Sequence, residues 1–285
     1  MLDSYKQHVE ERKSQNIPPL PLDADQTSQL VELLKSEHAE AELLIHLLKE
    51  RIPAGVDQSA YVKAAFLSDI ASGDTSSPYI SKKEAVEILG TMLGGYNIEP
   101  LIKCLQIEDL GEVASEALSK TLLIFDAFNE IYELSKTNNH AKNVINAWAE
   151  GKWFTDKQDI DKQIKLTVFK VTGEINTDDL SPATDAWSRP DIPLHALSMF
   201  KMPREGLDKP LETIEELKKK GNPLVFVGDV VGTGSSRKSA TNSVLWHMGD
   251  DIPCIPNKKE GGFCFGGKIA PIFFNTLEDS GAFPI

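Results

Sequence analysis

A glycine- and serine-rich segment that ends in an arginine carries the clearest chemical signal in the sequence. Residues 227–240 read VGDVVGTGSSRKSA and directly follow the apolar run Pro223–Val227. Glycines let the backbone approach a ligand closely, and the N-terminus of the helix predicted over Ser239–Met248 carries a partial positive charge. Arg237 adds a full charge and can grip a carboxylate or a phosphate with two hydrogen bonds. The segment therefore predicts an anion-binding site.

The two serines of this segment allow two interpretations. Ser235 and Ser236 stand at the predicted helix entrance, where their hydroxyls can cap free backbone N–H groups. A serine beside the charge of Arg237 can instead have its alkoxide stabilised enough to serve as a base. Two nucleotide motifs are excluded by spacing: no Gly-Lys pair is followed by a hydroxyl residue, and Arg237 occupies the third glycine position of the dinucleotide fingerprint.

A second polar segment follows another predicted strand. It reads EINTDDLSP over residues 174–182 and continues to WSRP over residues 187–190. Sites in α/β proteins gather where strands end, so Asp178 and Asp179 can supply an acid or base and Arg189 a second carboxylate clamp. Taken alone, such a carboxylate pair is more often a turn or a helix cap than a functional group.

The elements that must position these residues belong to an α/β domain that begins near residue 160. The β-branched run Leu166–Val171 and the apolar run Pro223–Val227 predict strands, and Ile269–Phe274 is a third candidate. Helical segments are expected around Leu194–Met202 and Leu211–Lys219. Strands that alternate with helices indicate a parallel sheet.

The chain before about Trp153 is predicted to be entirely helical. Leucines recur at the spacing of one helix face, and Ser81 with Glu84 forms a capping box. The clearest predicted helices are Val56–Ile70 with Asp57 as its cap, Ile98–Leu105, Val113–Leu134 and Ala141–Trp153. Short helices joined by short loops suggest a bundle or a solenoid of helix pairs, and this half contains no catalytic cluster.

Composition narrows the function classes. Lys and Arg total 30 against 43 Asp and Glu, which gives a net charge of −13 and a pI near 5.0, so phosphate-driven nucleic-acid binding is disfavoured. No apolar run approaches the roughly 20 residues that cross a bilayer.

Cys104, Cys254 and Cys264 form no C-x-x-C pair and are interpreted as buried small hydrophobes in a reducing cytoplasm. The opening residues lack an export signal, and the apolar ending at Ile285 suggests a longer parent protein.

The two polar segments together resemble the swivel-domain motifs of the aconitase superfamily. N-T-D-D-L-S-P-A and G-T-G-S-S-R-K-S-A are similar to the T-D-H-I-S and G-S-S-R motifs, with Asp179 in place of the histidine. The helical half, with G-T-M-L-G-G-Y-N-I, resembles the HEAT-like domain that precedes the swivel domain in the aconitase B (aconitate hydratase B) family. The resemblance implies a HEAT-like domain over 1–158 and a swivel domain over 159–285, incomplete at its C-terminus.

The resemblance also implies an activity and residue roles. Members of the family interconvert citrate and isocitrate through cis-aconitate on a [4Fe–4S] cluster, and 2-methylisocitrate is an alternative substrate. By motif, Ser235 is the general base, Asp178 an active-site polar group, and Ser236, Arg237 and Arg189 bind the substrate carboxylates. The family's three cluster cysteines have no counterpart here. We therefore expect the chain to be the N-terminal part of a cytoplasmic lyase, to hold no metal, and to be inactive without the cluster domains.

A non-enzymatic role is the alternative. The helical half can serve as a homodimerisation or regulatory surface, and the family resemblance adds mRNA binding in the iron-free state. Lys218–Lys220 is the one obvious basic cluster for such contacts. Neither interpretation predicts membrane association.

Overall fold

The computed structural model describes residues 1–157, 159–235 and 237–285. These residues form two compact units, each assembled from separate stretches of chain. The helical unit comprises Met1–Tyr5, Pro21–Ile160 and Pro253–Pro256. The α/β unit comprises Lys6–Leu20, Asp161–Ile252 and Asn257–Ile285. The coarse prediction of a helical N-terminal region followed by a parallel-sheet α/β region is confirmed.

Ten helices occupy the described part of the chain before the sheet. They are α1 (Leu2–Lys13), α2 (Ala24–Leu34), α3 (Ala41–Glu50), α4 (Gln58–Ser72), α5 (Lys82–Leu89), α6 (Ile98–Cys104), α7 (Gly111–Lys120), α8 (Ala127–Leu134), α9 (Asn139–Ala149) and α10 (Lys152–Thr155). Side-chain caps start several of them. Asp57 accepts the backbone N–H of Ser59 before α4, and Ser81 and Glu84 form the predicted capping box of α5. Leu44, Leu47 and Leu48 bury one stripe of α3.

Two of the predicted helices are interrupted. The span Val113–Leu134 divides into α7 and α8, because the backbone turns extended at Thr121 and left-handed at Phe125, whose φ is +41°. The intervening residues are apolar without a helical stripe, so nothing in their pattern favours one buried face. The span Ala141–Trp153 divides into α9 and α10 at Gly151, which has a φ of +67°.

A four-stranded parallel sheet forms the centre of the α/β unit. Its strands lie in the order β1 (Thr167–Asn176), β2 (Leu224–Thr233), β5 (Phe263–Ile269) and β6 (Phe283–Pro284). The short strands β3 (Asp250–Asp251) and β4 (Lys259–Glu260) pair separately and antiparallel. The helices of this unit are α11 (Thr177–Leu180), a 3-10 helix (Ala183–Ser188), α12 (Ile192–Ala196), α13 (Pro210–Lys218), α14 (Lys238–Met248) and α15 (Pro271–Asp279).

The first two predicted strands are confirmed, and the third is wrong. Ile269–Phe274 contains only the last residue of β5, and the rest of it begins α15. Pro271 takes the first helical position, where its fixed φ suits a helix. The buried residues Phe273 and Leu277 are four positions apart and therefore lie on the same face of the helix. The true third strand, β5, carries Gly266 and Gly267, which weaken its strand signal.

The core of the α/β unit lies against the first two strands. Phe169 of β1, Phe226 of β2 and Phe200 are buried, with ring centroids 6.0–6.4 Å apart. The predicted helix Leu194–Met202 is shorter than expected, since α12 ends at Ala196 and Phe200 has a φ of +55°. The Phe200 N–H donates to Asp179 O at 2.7 Å, which joins α11 to the segment that carries this core residue.

Candidate anion site at the carboxyl ends of two parallel strands

The two predicted polar segments meet because their strands are neighbours. In the parallel register of β1 and β2, Asn176 lies opposite Thr233, so both strands end at the same edge of the sheet. Thr177 Oγ1 then donates to the carbonyl oxygen of Ser235 at 2.9 Å. The structure thus brings the start of α11 against the glycine-rich loop after β2.

Glycines are required at two positions of that loop. Gly232 and Gly234 have φ values of +78° and +94°, in the left-handed region that side chains disfavour. A Cβ on Gly232 would lie 2.2 Å from Cγ of Phe273 in α15, and one on Gly234 would lie 3.2 Å from Thr177 Oγ1. The loop packs this closely and leaves a cavity of about 100 Å³, lined by Ser235 and Arg237 among others. Ser235 itself is exposed.

Arg237 and Asp178 form an ion pair across the two segments. Arg237 Nη1 donates to Asp178 Oδ1 and also to the carbonyl oxygen of Ser181 at 3.2 Å. The hydrogen bond from Arg237, with a further contribution from the charge of Arg189, lowers the pKa of Asp178. Asp178 is therefore a carboxylate at neutral pH, and its side chain is 58% exposed whereas that of Arg237 is 19% exposed.

Arg189 supplies a second guanidinium whose bonding is incomplete. Its side chain is half-buried, and its Nε is buried without a hydrogen-bond partner among the described residues. A buried donor without a partner costs about 1–3 kcal/mol. Arg189 is close enough to Asp178 for its charge to lower the pKa of that carboxyl.

Asp179 has a structural task. Its Oδ2 accepts the Asn176 N–H at 2.9 Å, and the Asn176 side chain accepts from the N–H groups of Asp178 and Asp179, which completes a capping box. Arg204 Nη1 also contacts Asp179 Oδ2 at 3.2 Å. For Asp179 the cap interpretation holds, whereas Asp178 faces Arg237 in the site.

The start of α14 differs from the sequence expectation. The helix begins at Lys238, and its first flanking residue, Arg237, makes no side-chain cap. The carbonyl of Ser235 accepts from Thr177, and Ser235 stands two residues before Arg237, the cap position of the helix. The capping interpretation of Ser235 is therefore wrong. The proposed substrate contact at Ser236 lies outside the described residues.

A chain of hydrogen bonds joins three serine hydroxyls through one buried imidazole, and sequence reasoning missed it. Ser239 Oγ contacts Ser181 Oγ at 2.7 Å, and Ser181 Oγ contacts His195 Nε2 at 2.8 Å. His195 Nδ1 contacts Ser188 Oγ at 2.8 Å. His195 is 2% exposed, and its burial lowers its pKa. A lone histidine between apolar residues in IPLHALS gave no signal of this bonding.

The described residues do not fit an iron–sulfur cluster. None of their His, Cys, Asp and Glu side chains form a group of three or more that could hold a metal ion. Iron–sulfur clusters are held mostly by Cys thiolates, and burial raises the pKa of the Cys104 and Cys254 thiols and raises that of Cys264 to about 12. Cys104 and Cys264 are buried as expected, whereas Cys254 is only half-buried and its Sγ lies 3.7 Å from Glu50 Oε1.

Among the helices of the described residues, none combines the length and the apolar character that crossing a bilayer demands.

Known proteins resemble the chain along its whole length. A family model described as the aconitate B N-terminal domain matches residues 4–154, and one described as the aconitate hydratase 2 N-terminus matches residues 166–285. Proteins named aconitate hydratase B from Pseudomonas aeruginosa and Escherichia coli are each 58% identical over 294 residues, and one from Helicobacter pylori is 51% identical over 286 residues. These alignments cover 100% of this chain but only 33–34% of each relative, so the chain spans about a third of their length.

Proposed function

Because the chain belongs to the aconitate hydratase B family, we propose that it forms the N-terminal part of a hydro-lyase acting on a tricarboxylate. The reaction would interconvert citrate and isocitrate through cis-aconitate, with 2-methylisocitrate as an alternative substrate. The observation that carries the proposal is that Arg237 is paired with Asp178 and that Arg189 is close enough to influence the same carboxyl, beside an exposed serine, where two adjacent parallel strands end.

Arg237 and Arg189 would bind substrate carboxylates, together with Ser236. A tricarboxylate carries several charges, and planar guanidinium groups bind each carboxylate with two directed hydrogen bonds. The Asp178 carboxylate holds Arg237 before substrate arrives, so substrate would compete with or share this ion pair.

Ser235 would be the general base that removes a proton from the carbon next to a carboxylate. An alkoxide is a strong base, and it can form only where nearby positive charge stabilises it. Ser235 lines the same cavity as Arg237, and its exposure leaves the hydroxyl open to a ligand. Asp178 would stay ionised and act as a polar group that orients the guanidinium.

The [4Fe–4S] cluster that the family implies would be held by parts of the full-length protein outside this chain. The two regions here would be a HEAT-like domain over 1–158 and a swivel domain over 159–285, in a cytoplasmic protein. The chain alone would be catalytically inactive and would need the cluster-bearing domains as partners.

A chimera tests this function directly. The chain replaces the homologous N-terminal third of the Pseudomonas aeruginosa relative, and conversion of citrate to isocitrate is measured after cluster loading. We expect turnover by the chimera and its loss on Ser235→Ala or Arg237→Lys. Ser14→Ala, which removes an exposed hydroxyl elsewhere in the α/β unit, is the matched control and should leave turnover unchanged. A folded, loaded chimera without turnover would contradict the proposal.

The alternative proposal is an association module built on the helical unit. Leu123 and Phe125, between α7 and α8, are 56% and 80% exposed, and such apolar exposure suits a protein partner such as a second copy. The mRNA version has less support, because Lys218 and Lys219 are paired with Glu215 and Glu216. A gel-shift assay titrated with salt tests it: an RNA complex that forms at low salt and weakens as salt rises would support this version, and its absence at low salt would remove it.

A further inference from the structure

The hydroxyl–imidazole chain has one consistent direction of proton donation. Ser188 Oγ lies 2.8 Å from the carbonyl oxygen of Asp185, which can only accept, so the single hydroxyl proton of Ser188 is used there. His195 Nδ1 must then be the donor to Ser188 Oγ at 2.8 Å. A neutral imidazole with a protonated Nδ1 leaves Nε2 as an acceptor.

The other end of the chain follows from this tautomer. Because His195 Nε2 accepts, Ser181 Oγ donates to it at 2.8 Å and Ser239 Oγ donates to Ser181 Oγ at 2.7 Å. Every proton in the chain therefore has an acceptor. The buried ring stays neutral because its burial, and the charge of Arg189, lower its pKa.

The chain ends at residues that adjoin both arginines. Ser181 supplies the carbonyl oxygen that accepts from Arg237 Nη1, and Ser239 lies two residues beyond Arg237 in the first turn of α14. Ser188 immediately precedes Arg189. The His195 imidazole is therefore hydrogen-bonded both to the segment that carries Arg189 and to the segment whose carbonyl oxygen accepts from Arg237.

We propose that His195 is a positioning residue that holds the Arg189 and Arg237 segments at a fixed separation for a multiply charged carboxylate ligand. The proposal deepens the function proposed above and rests on it. His195 would not touch the ligand, since it is buried and both ring nitrogens are bonded within the protein. Binding groups that are displaced hold a ligand less tightly, so loss of His195 should weaken binding at the site.

The tautomer can be measured without any ligand or cluster. Nitrogen NMR of the 285-residue chain labelled at histidine should show His195 with a protonated Nδ1 and an unprotonated Nε2 at pH 8, where the ring is neutral. Ser188→Ala removes the Nδ1 acceptor without altering the ring and should shift the Nδ1 resonance. A neutral ring with its proton on Nε2 would overturn the proposal.

Kinetics of the chimera separate positioning from folding. His195→Gln keeps an acceptor near the Nε2 position and His195→Asn keeps a donor near the Nδ1 position, so each variant breaks one end of the chain. We expect KM to rise about tenfold in each, with kcat changed less than about twofold, because binding of ground state and transition state falls together. A merely structural role would lower the amount of active enzyme and leave KM unchanged.

His247→Gln is the matched control. His247 is also buried in the α/β unit, but it contacts Ala196 O outside the hydroxyl chain. This variant should leave KM unchanged. If the unsubstituted chimera is inactive, the proposed function fails and the tautomer measurement alone decides the role of His195. If the chimera is active and His195 variants keep a normal KM, the positioning role fails and the function stands.

Discussion

At the scale of single residues, the candidate site consists of charged side chains, and one of its two arginines is already hydrogen-bonded within the protein. Arg237 is bound to Asp178 and to the Ser181 carbonyl, and Arg189 keeps one buried nitrogen without a described partner. Motif spacing in the sequence predicted Asp178, Ser235, Arg189 and Arg237 as site residues. It could not predict the role proposed for His195, because that role rests on contacts with serines up to 14 residues away.

Buried histidine also gives the α/β unit a pH-dependent stability. Burial lowers the pKa of His247 from 6.5 to about 4. Between these pH values the unfolded chain binds a proton that the folded chain excludes, so stability falls as pH drops from 6.5 to 4, by up to about 3 kcal/mol.

Hydrogen exchange of the β1 and β2 amides at pH 7, 5.5 and 4.5 measures this loss. In His247→Gln, which keeps a donor for Ala196 O, the dependence on pH should be smaller by that amount. An unchanged pH dependence in the variant would show that His247 is not the group responsible.

At the scale of elements, the parallel register of β1 and β2 does the positioning. It sets Asn176 opposite Thr233, and the glycine loop then reaches Thr177 and the start of α15. Sequence patterns predicted the first two strands because both are β-branched and apolar. They failed at α15, where an apolar run in strand-like composition is made helical by Pro271 and by the spacing of its buried residues.

Gly232→Ala should lower the free energy of unfolding by more than the backbone strain at this φ would lower it alone. The new Cβ would meet Phe273 at 2.2 Å, in addition to the unfavourable φ of +78°. We expect a loss of at least about 2 kcal/mol in the free energy of unfolding of the α/β unit.

Gly221→Ala is the control for that prediction. Gly221 has a similar φ of +74°, but a Cβ at this position would have no atom within 4 Å beyond its chain neighbours, so only the strain of about 1–2 kcal/mol remains. Denaturant unfolding of both variants measures the difference. Equal losses would mean that the contact between the loop and α15 is not tight.

At the scale of the whole molecule, two units of different construction share one chain. Composition and periodicity predicted the helical and the α/β parts, since leucine stripes and β-branched runs are local signals. Local signals could not predict which short stretches of chain join the unit formed by the other half of the sequence. Lys6–Leu20 belongs to the α/β unit and Pro253–Pro256 to the helical unit, and such long-range assignments depend on contacts such as the ion pair of Arg12 with Asp191.

The central claim is that the carboxyl ends of β1 and β2 bind a tricarboxylate through Arg189 and Arg237. The most direct measurement is a citrate titration of the 285-residue chain, followed by NMR of the arginine Nε–H groups at constant ionic strength, with acetate as the control ligand. We expect citrate to shift the Nε–H resonances of Arg189 and Arg237, whereas the resonance of Arg12, which is held by Asp191, should stay unchanged. Equal shifts with acetate, or no shift of either site arginine at saturating citrate, would contradict it.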